Sequence, residues 1–193
     1  MTSFQDVFNQ AATNPEFREK LKKDPKKVLA EECDIHFDQD TTITVVEAKL
    51  NTLYIILLEN KRKIDLENEI KNNPKNPLLA INLRSMQEPE FRERLKLNPQ
   101  EVLIKEYNAP LSAEYSVEIL EQTEKRQYLV LPQKGDQELS EPELAEIAGG
   151  FNAAVFFLKM AVGVVPAIVV GIYEGVSGDK RPTKEINDWI VRG

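Results

Sequence analysis

Apolar residues along the chain fall into two rhythms, and each rhythm occurs twice. In residues 15–32, PEFREKLKKDPKKVLAEE, Phe17 and Leu21 stand four apart, the spacing of one face of a short helix. Phe91 and Leu95 repeat that spacing within residues 89–106, PEFRERLKLNPQEVLIKE. Asn14-Pro15 and Glu88-Pro89 predict helix starts, because proline is tolerated in a first turn. Pro25 and Pro99 interrupt that helix and begin a second, with Asp24 and Asn98 as N-caps. Val28 and Leu29, matched by Val102 and Leu103, form the second helix's apolar side. The rhythm then becomes extended. ITVVE (43–47) and LYIILL (53–58) are rich in β-branched and aromatic residues and flank a polar five, Ala48 to Thr52, which predicts a β-hairpin.

The two PEF segments align without a gap at an offset of 74, with 11 of 18 positions identical. The same offset carries ITVVE onto VEILE (117–121) and LYIILL onto QYLVLP (127–132). The expected fold is therefore α+β: two repeated helix-helix-β-hairpin modules joined by a helical or polar connector, followed by a hydrophobic tail that is largely helical or disordered. The boundaries read as a first module at 1–58, a connector at 59–83, a second module at 84–137, a short helix ending in Gly-Gly at 138–150, and the tail at 151–193. Fifty residues make a thin core, so pairing of the copies or docking on a partner would relieve marginal stability.

The tail changes the picture. Ala153 to Tyr173 is apolar apart from Lys159, Gly163, Pro166 and Gly171, whereas the preceding residues are ordinary soluble protein. Of the net charge of −7, the first 150 residues carry −8 and the tail +1. As an α-helix those 21 residues would span about 31 Å, near the thickness of a bilayer's hydrocarbon core. Pro166 would kink that helix, and Lys159 could snorkel from it. GDKRPTKE reads as a loop, and INDWIVRG as a short amphipathic end with Trp189 suited to an interface.

Acidic excess argues against nucleic acid as a partner. One Cys and one His exclude a disulfide framework and a Cys/His zinc cluster, and no basic, then apolar, segment opens the chain as a secretory signal would. His36, in CDIHFDQD, reads as a surface residue or a pH-sensitive contact, without an oriented catalytic partner. Cys33 ends a helix beside acidic residues that would raise its pKa, which suits a structural thiol better than a nucleophile. No glycine-rich phosphate loop occurs in residues 1–148, whose one glycine is Gly135. No catalytic residue, metal site or cofactor is expected, and the chain does not read as an enzyme. Phe17-Arg18-Glu19 and Phe91-Arg92-Glu93 read most simply as core phenylalanines beside solvated charges, and a hairpin's outer strand could offer an edge to another sheet.

At the junction, ELSEPELAEIAGG (138–150), Ser140 and Glu143 have capping-box spacing and Pro142 falls in the first turn. Gly149-Gly150 would end that helix. Apolar Leu139, Leu144 and Ile147 precede the Gly150–Phe151 bond. The motifs PEFRERLKLNP, VEILEQTEKRQYLVLP and ELSEPELAEIAGG, in that order, resemble the leader peptides of ribosomally synthesised, post-translationally modified peptides (RiPPs) of the nitrile-hydratase-like, or proteusin, type. The resemblance covers residues 84–150, with 15–58 as a second copy. The duplication departs from the usual pattern, as does Pro142. The clustered-Cys metal motif of nitrile hydratase is missing, so nitrile hydration is not implied.

That resemblance implies a precursor and substrate: a leader that recruits maturation enzymes, and a core peptide released by a peptidase-containing ABC transporter that cuts after Gly150. Gly149, Gly150 and Phe151 would form the cleavage site, with Leu139, Leu144 and Ile147 recognised by the peptidase. Phe91, Leu95, Val102, Leu103, Tyr128 and Val130 are the candidate maturase-docking residues. The tail has no Cys, one Ser and one Thr, which disfavours thioether and azole chemistry. Its Val/Ala/Gly-rich run is similar to cores epimerised by radical SAM enzymes, and Lys159 offers an amine to an acyltransferase. The expected precursor is cytoplasmic and its product exported and membrane-active, a bacteriocin among the options. Two rivals stand beside it: an adaptor held to a membrane by an uncleaved C-terminal helix, and an unmodified double-glycine bacteriocin.

Overall fold

Prolines and short polar caps set the helix boundaries. In the computed structural model, which describes residues 4–49, 51–59, 76–131, 185, 186 and 189, α1 (Phe4–Thr13), α2 (Pro15–Lys23) and α3 (Pro25–Cys33) precede β1 (Thr42–Glu47) and β2 (Thr52–Leu57). The order recurs as α4 (Pro77–Gln87), α5 (Pro89–Leu97), α6 (Pro99–Tyr107), β3 (Ser116–Glu121) and β4 (Arg126–Leu131). The fold is mixed α+β. Asn14 and Asp24 accept hydrogen bonds from the Phe17 and Lys27 amides at 3.1 and 3.2 Å, each quieting an orphan donor of a first turn. Asn98 holds the N-cap position of α6 without a side-chain cap bond. Asp34 and Asn108 end α3 and α6 in the left-handed region, at φ 58° and 51°, where the short polar side chains of Asp and Asn are tolerated.

The opening helix α1 was not among the expected elements. Val7, Phe8, Ala11 and Ala12 are buried along it. Residues 77–83, expected in the connector, form the first part of α4, whose N-cap Asn76 accepts from the amides of Leu78 and Leu79. Every described element of one half thus has a counterpart in the other near the 74-residue offset.

The expected hairpins do not form. β1 pairs in parallel with β4, Thr42 opposite Arg126 through Glu47 opposite Leu131, and β2 pairs in parallel with β3, Thr52 opposite Ser116 through Leu57 opposite Glu121. Each strand therefore joins the counterpart of its own neighbour in the other half. The exchange holds at individual bonds. The Thr42 amide donates to the Lys125 carbonyl and the Ser116 amide to that of Asn51; the Ala48 amide donates to Leu131 and the Gln122 amide to Leu57, all at 2.7–2.9 Å. Each of these pairs maps onto its partner pair by the offset, so the two halves are intertwined about a pseudo-two-fold.

LYIILL explains why a hairpin loses. All six residues of β2 are buried. Leu53, Ile55 and Leu57 enter the core formed with α4, α5 and α6, while Tyr54, Ile56 and Leu58 enter the core formed with α1, α2 and α3. A strand without a polar face needs cover on both sides, as parallel buried strands have, and a lone hairpin cannot supply it.

Candidate functional site

Arginines that look solvated in the sequence hold the helices to the strands. Arg18, read as a solvated charge, is instead 2% exposed, because its Nε donates to Glu47 Oε1 at 2.8 Å and its Nη1 to the Ala11 carbonyl at 3.0 Å. Its counterpart Arg92 donates to Glu121 at 3.1 Å, to the Leu58 carbonyl at 3.0 Å and to Ser85 Oγ at 3.4 Å. Lys22 and Lys96 join the same two carboxylates at 3.4 and 3.2 Å. The Arg18 hydrogen bond holds the Glu47 carboxyl below the usual carboxylate range. Burial opposes the Glu121 charge, but Lys96 and Arg92 outweigh it and leave that carboxyl lowered too.

Around Phe91 the second half adds chemistry that the first lacks. The Arg84 guanidinium stacks 4.1 Å from the Phe91 ring centroid, with Arg94 at 5.8 Å, and the Tyr107 ring lies 6.2 Å away, tilted by 56°. Glu106 bridges Arg84 and Arg94, and Glu88 meets Arg84 at 3.0 Å. Arg84 is raised above its ordinary value, first by its Tyr107 hydrogen bond and then by Glu106, while Glu106 is held low chiefly by Arg84. The first half carries Gln10, Lys20 and Cys33 where the second carries Arg84, Arg94 and Tyr107.

Against this cluster lies the far end of the chain. Ile186 and Trp189 are buried with Phe91, Leu95, Val102, Leu103, Ala109, Leu111 and Tyr115, and the Trp189 indole donates to the Tyr107 carbonyl at 2.7 Å. Trp189, read as an amphipathic interface residue, thus sits inside the protein. The second half also leaves two large apolar side chains in solvent, Leu97 at 76% exposure and Ile104 at 39%. The first half has Lys23 and Ala30 at those positions. The two were legible only as interruptions of the helical polar face.

Of the candidate maturase-docking residues, Phe91, Leu95, Val102 and Leu103 are buried in the second core, Val130 is buried in the first, and Tyr128 packs partly buried against the first. The set is therefore divided between two interiors. Leu139, Leu144, Ile147, Gly149, Gly150, Phe151 and Lys159 lie outside the described residues. Cys33 is buried, and burial, then Glu32 and Asp6, push its thiol up to about 11, which leaves it a neutral packing group. His36 is exposed and meets Asp34 at 3.0 Å. Among the described residues, no group of three or more His, Cys, Asp or Glu is placed to hold a metal ion, and no helix is long and apolar enough to cross a membrane.

No family model matches the chain. It is similar to polytheonamide B of a bacterial symbiont of Theonella swinhoei (strain pTSMAC1), 33% identical over 101 residues, covering 48% of this chain. The match spans 63% of that relative's length, just under two thirds. It bears out the resemblance to proteusin-type RiPP precursors with a nitrile-hydratase-like leader. Among solved structures, a thiocyanate hydrolase variant is similar at a TM-score of 0.42 and 18% identity, covering 92% of this chain and 80% of that one.

Proposed function

We propose that the chain is the precursor of a ribosomally synthesised, post-translationally modified peptide, with residues 1–150 as leader and residues 151–193 as core. The observation that carries this reading is the 33% identity to polytheonamide B, taken with a leader-like order of motifs that ends in Gly149-Gly150 before an apolar tail. The chain is then a substrate. Its folded part recruits maturation enzymes and turns a bimolecular encounter with the tail into a tethered one.

The folded part supports this role through its asymmetry. The first half completes the strand pairs of the second, while the second alone carries the arginine-covered Phe91 and the solvent-facing Leu97 and Ile104. A radical SAM epimerase or an acyltransferase would engage that second face and act on the tail, the latter at Lys159. A peptidase-containing ABC transporter would read Leu139, Leu144 and Ile147, cut between Gly150 and Phe151, and export a membrane-active product.

Intact-mass analysis of the chain incubated with the peptidase domain of a transporter encoded in the same organism tests this. A fragment that begins at Phe151 is expected, and Gly149→Val or Gly150→Val should abolish it, because a Cβ at either position obstructs a narrow cleft. Cleavage elsewhere, or undiminished cleavage in those variants, overturns the site. Recovery of only the full 22.0 kDa chain from the membranes of producing cells would favour the uncleaved adaptor.

A further inference from the structure

Ile186 and Trp189 contact the folded part at a place where the two halves differ. Residues 185, 186 and 189 are helical, and Ile186 and Trp189, three apart, share one face of that turn. Both are buried in the second core, Trp189 at 8% exposure. Tyr107 is the last residue of α6, and the final carbonyls of a helix have no partner within it. The Trp189 indole, 82 residues away, supplies one at 2.7 Å.

Among the described residues, the first core has no counterpart of Ile186 and Trp189. Where it has Ile35 and Phe37, the second has the smaller Ala109 and Leu111. Ile35 is buried within the first core and Phe37 packs against it. In the second core, Ala109 and Leu111 share their cluster with Ile186 and Trp189. The first core thus draws on larger residues of its own loop, whereas the second core gathers Ile186 and Trp189 beside smaller ones.

We propose that Ile186 and Trp189 form a latch, which docks on the second half and tethers the C-terminal part of the chain to it. Among the described residues the contact amounts to two side chains and one hydrogen bond, too little to bind tightly as separate molecules, which must first offset their lost translational freedom. Within one chain the same contact works at an effective concentration on the order of millimolar. The latch is therefore closed while the chain is whole and opens when the tail is severed. The cut itself then frees the product from the surface that held it.

Trp189 is the chain's one tryptophan, so its fluorescence reports the latch without a label. The full chain should give a blue-shifted emission resistant to acrylamide. Ile186→Asp, placed on the tail side and outside the paired halves, should shift the emission to the red and raise quenching several-fold while far-UV dichroism stays unchanged. Ala109→Phe should do the same from the groove side. A solvent-like emission in the full chain, or one indifferent to Ile186→Asp, overturns the latch. These measurements need no cleavage, so they stand or fall separately from the precursor reading. A second arm inserts a recognition sequence for a site-specific protease after Gly150. Emission should become solvent-like after cutting at micromolar concentration, and emission that stays protected overturns release on severing.

Discussion

The two halves share 11 of 18 residues across two of their three helices and the same strand register, yet they have diverged in what they do with them. The first is closed: Arg18 is sealed at 2% exposure, and Ile35 and Phe37 fill their own surroundings. The second is open: it stacks Arg84 on Phe91, exposes Leu97 and takes in Ile186 and Trp189. A duplicated unit that must pair with its copy to bury both faces of a strand frees one copy to specialise, because the other secures the fold. The difference teaches that one copy can close its core from its own loop while the other stays open to contacts from elsewhere in the chain.

The largest test separates them. Residues 1–75 and 76–137, produced alone, should each be unfolded or dimeric, since each ladder takes one strand from each half. Mixing them should restore the dichroism of the whole. A folded monomer of either piece, by analytical ultracentrifugation and dichroism, would break the intertwined arrangement.

The next test exploits a break in the pseudo-symmetry. Asn82 is fully buried; its Oδ1 accepts from the Leu58 amide at 3.0 Å, and its Nδ2 donates to the carbonyls of Ile56 and Leu78 at 3.1 and 3.2 Å. Its counterpart is Phe8, and the counterpart of Leu58 is Pro132, which has no amide hydrogen to satisfy. A polar side chain stands where a buried donor needs it, and in the sequence phenylalanine and proline take the two corresponding positions. Asn82→Phe imports the first half's solution and leaves the Leu58 amide stranded, at a cost of about 2–3 kcal/mol by urea unfolding. A neutral result would mean that Asn82 is not the partner on which that amide depends.

Much of this was legible in the sequence, and the failures have a common cause. The prolines and polar caps mark α2, α3, α5 and α6 because they act locally, through φ restriction and a missing amide. The repeat exposed the equivalence of the halves for the same reason. Strand pairing is not local: ITVVE followed five residues later by LYIILL fits a hairpin equally well. The signal against it was that LYIILL does not alternate, a strand buried on both faces. Helix α1 carries no visible repeat, because none of its ten residues is identical to its counterpart 74 positions on. Arg18 looked solvated because its partner Glu47 lies 29 residues away. Trp189 was unreadable as a core residue, since its acceptor is a backbone carbonyl.

Arg18 and Arg92 sharpen the comparison further. Arg18→Ala removes a sealed guanidinium and should cost about 2 kcal/mol, as for a half-buried ion pair that loses one member. Arg92 retains 20% side-chain exposure, and Arg92→Ala should cost about 1 kcal/mol under solvent screening. Equal costs would argue that the first half is no more closed than the second. The carboxylates of both networks also set an acid limit. Glu47 and Glu121 are held below their ordinary 4.5 in the folded chain, so the folded state binds fewer protons than the unfolded one. Their contribution is present above that value and is lost as pH falls through the lowered folded values. Melting temperature should drop on acidification below about pH 4.5, and Glu47→Gln with Glu121→Gln should flatten that slope. An unchanged slope would place the acid sensitivity elsewhere.

The smallest effect on stability is the most informative about function. Leu97→Lys and Ile104→Ala copy Lys23 and Ala30 from the first half onto the second. Exposed at 76% and 39%, these side chains contribute little to the core, and the double variant should unfold within about 0.5 kcal/mol of the parent. If the second half is the face that maturation enzymes engage, the same variant should slow modification of the tail, because exposed apolar side chains gain most when a partner covers them. The reverse exchange, Lys23→Leu with Ala30→Ile, should not compensate, since the first half lacks the arginines stacked on Phe91. Modification measured by mass spectrometry that responds equally to both exchanges would remove the functional distinction between the halves and leave the duplication as a device of folding alone.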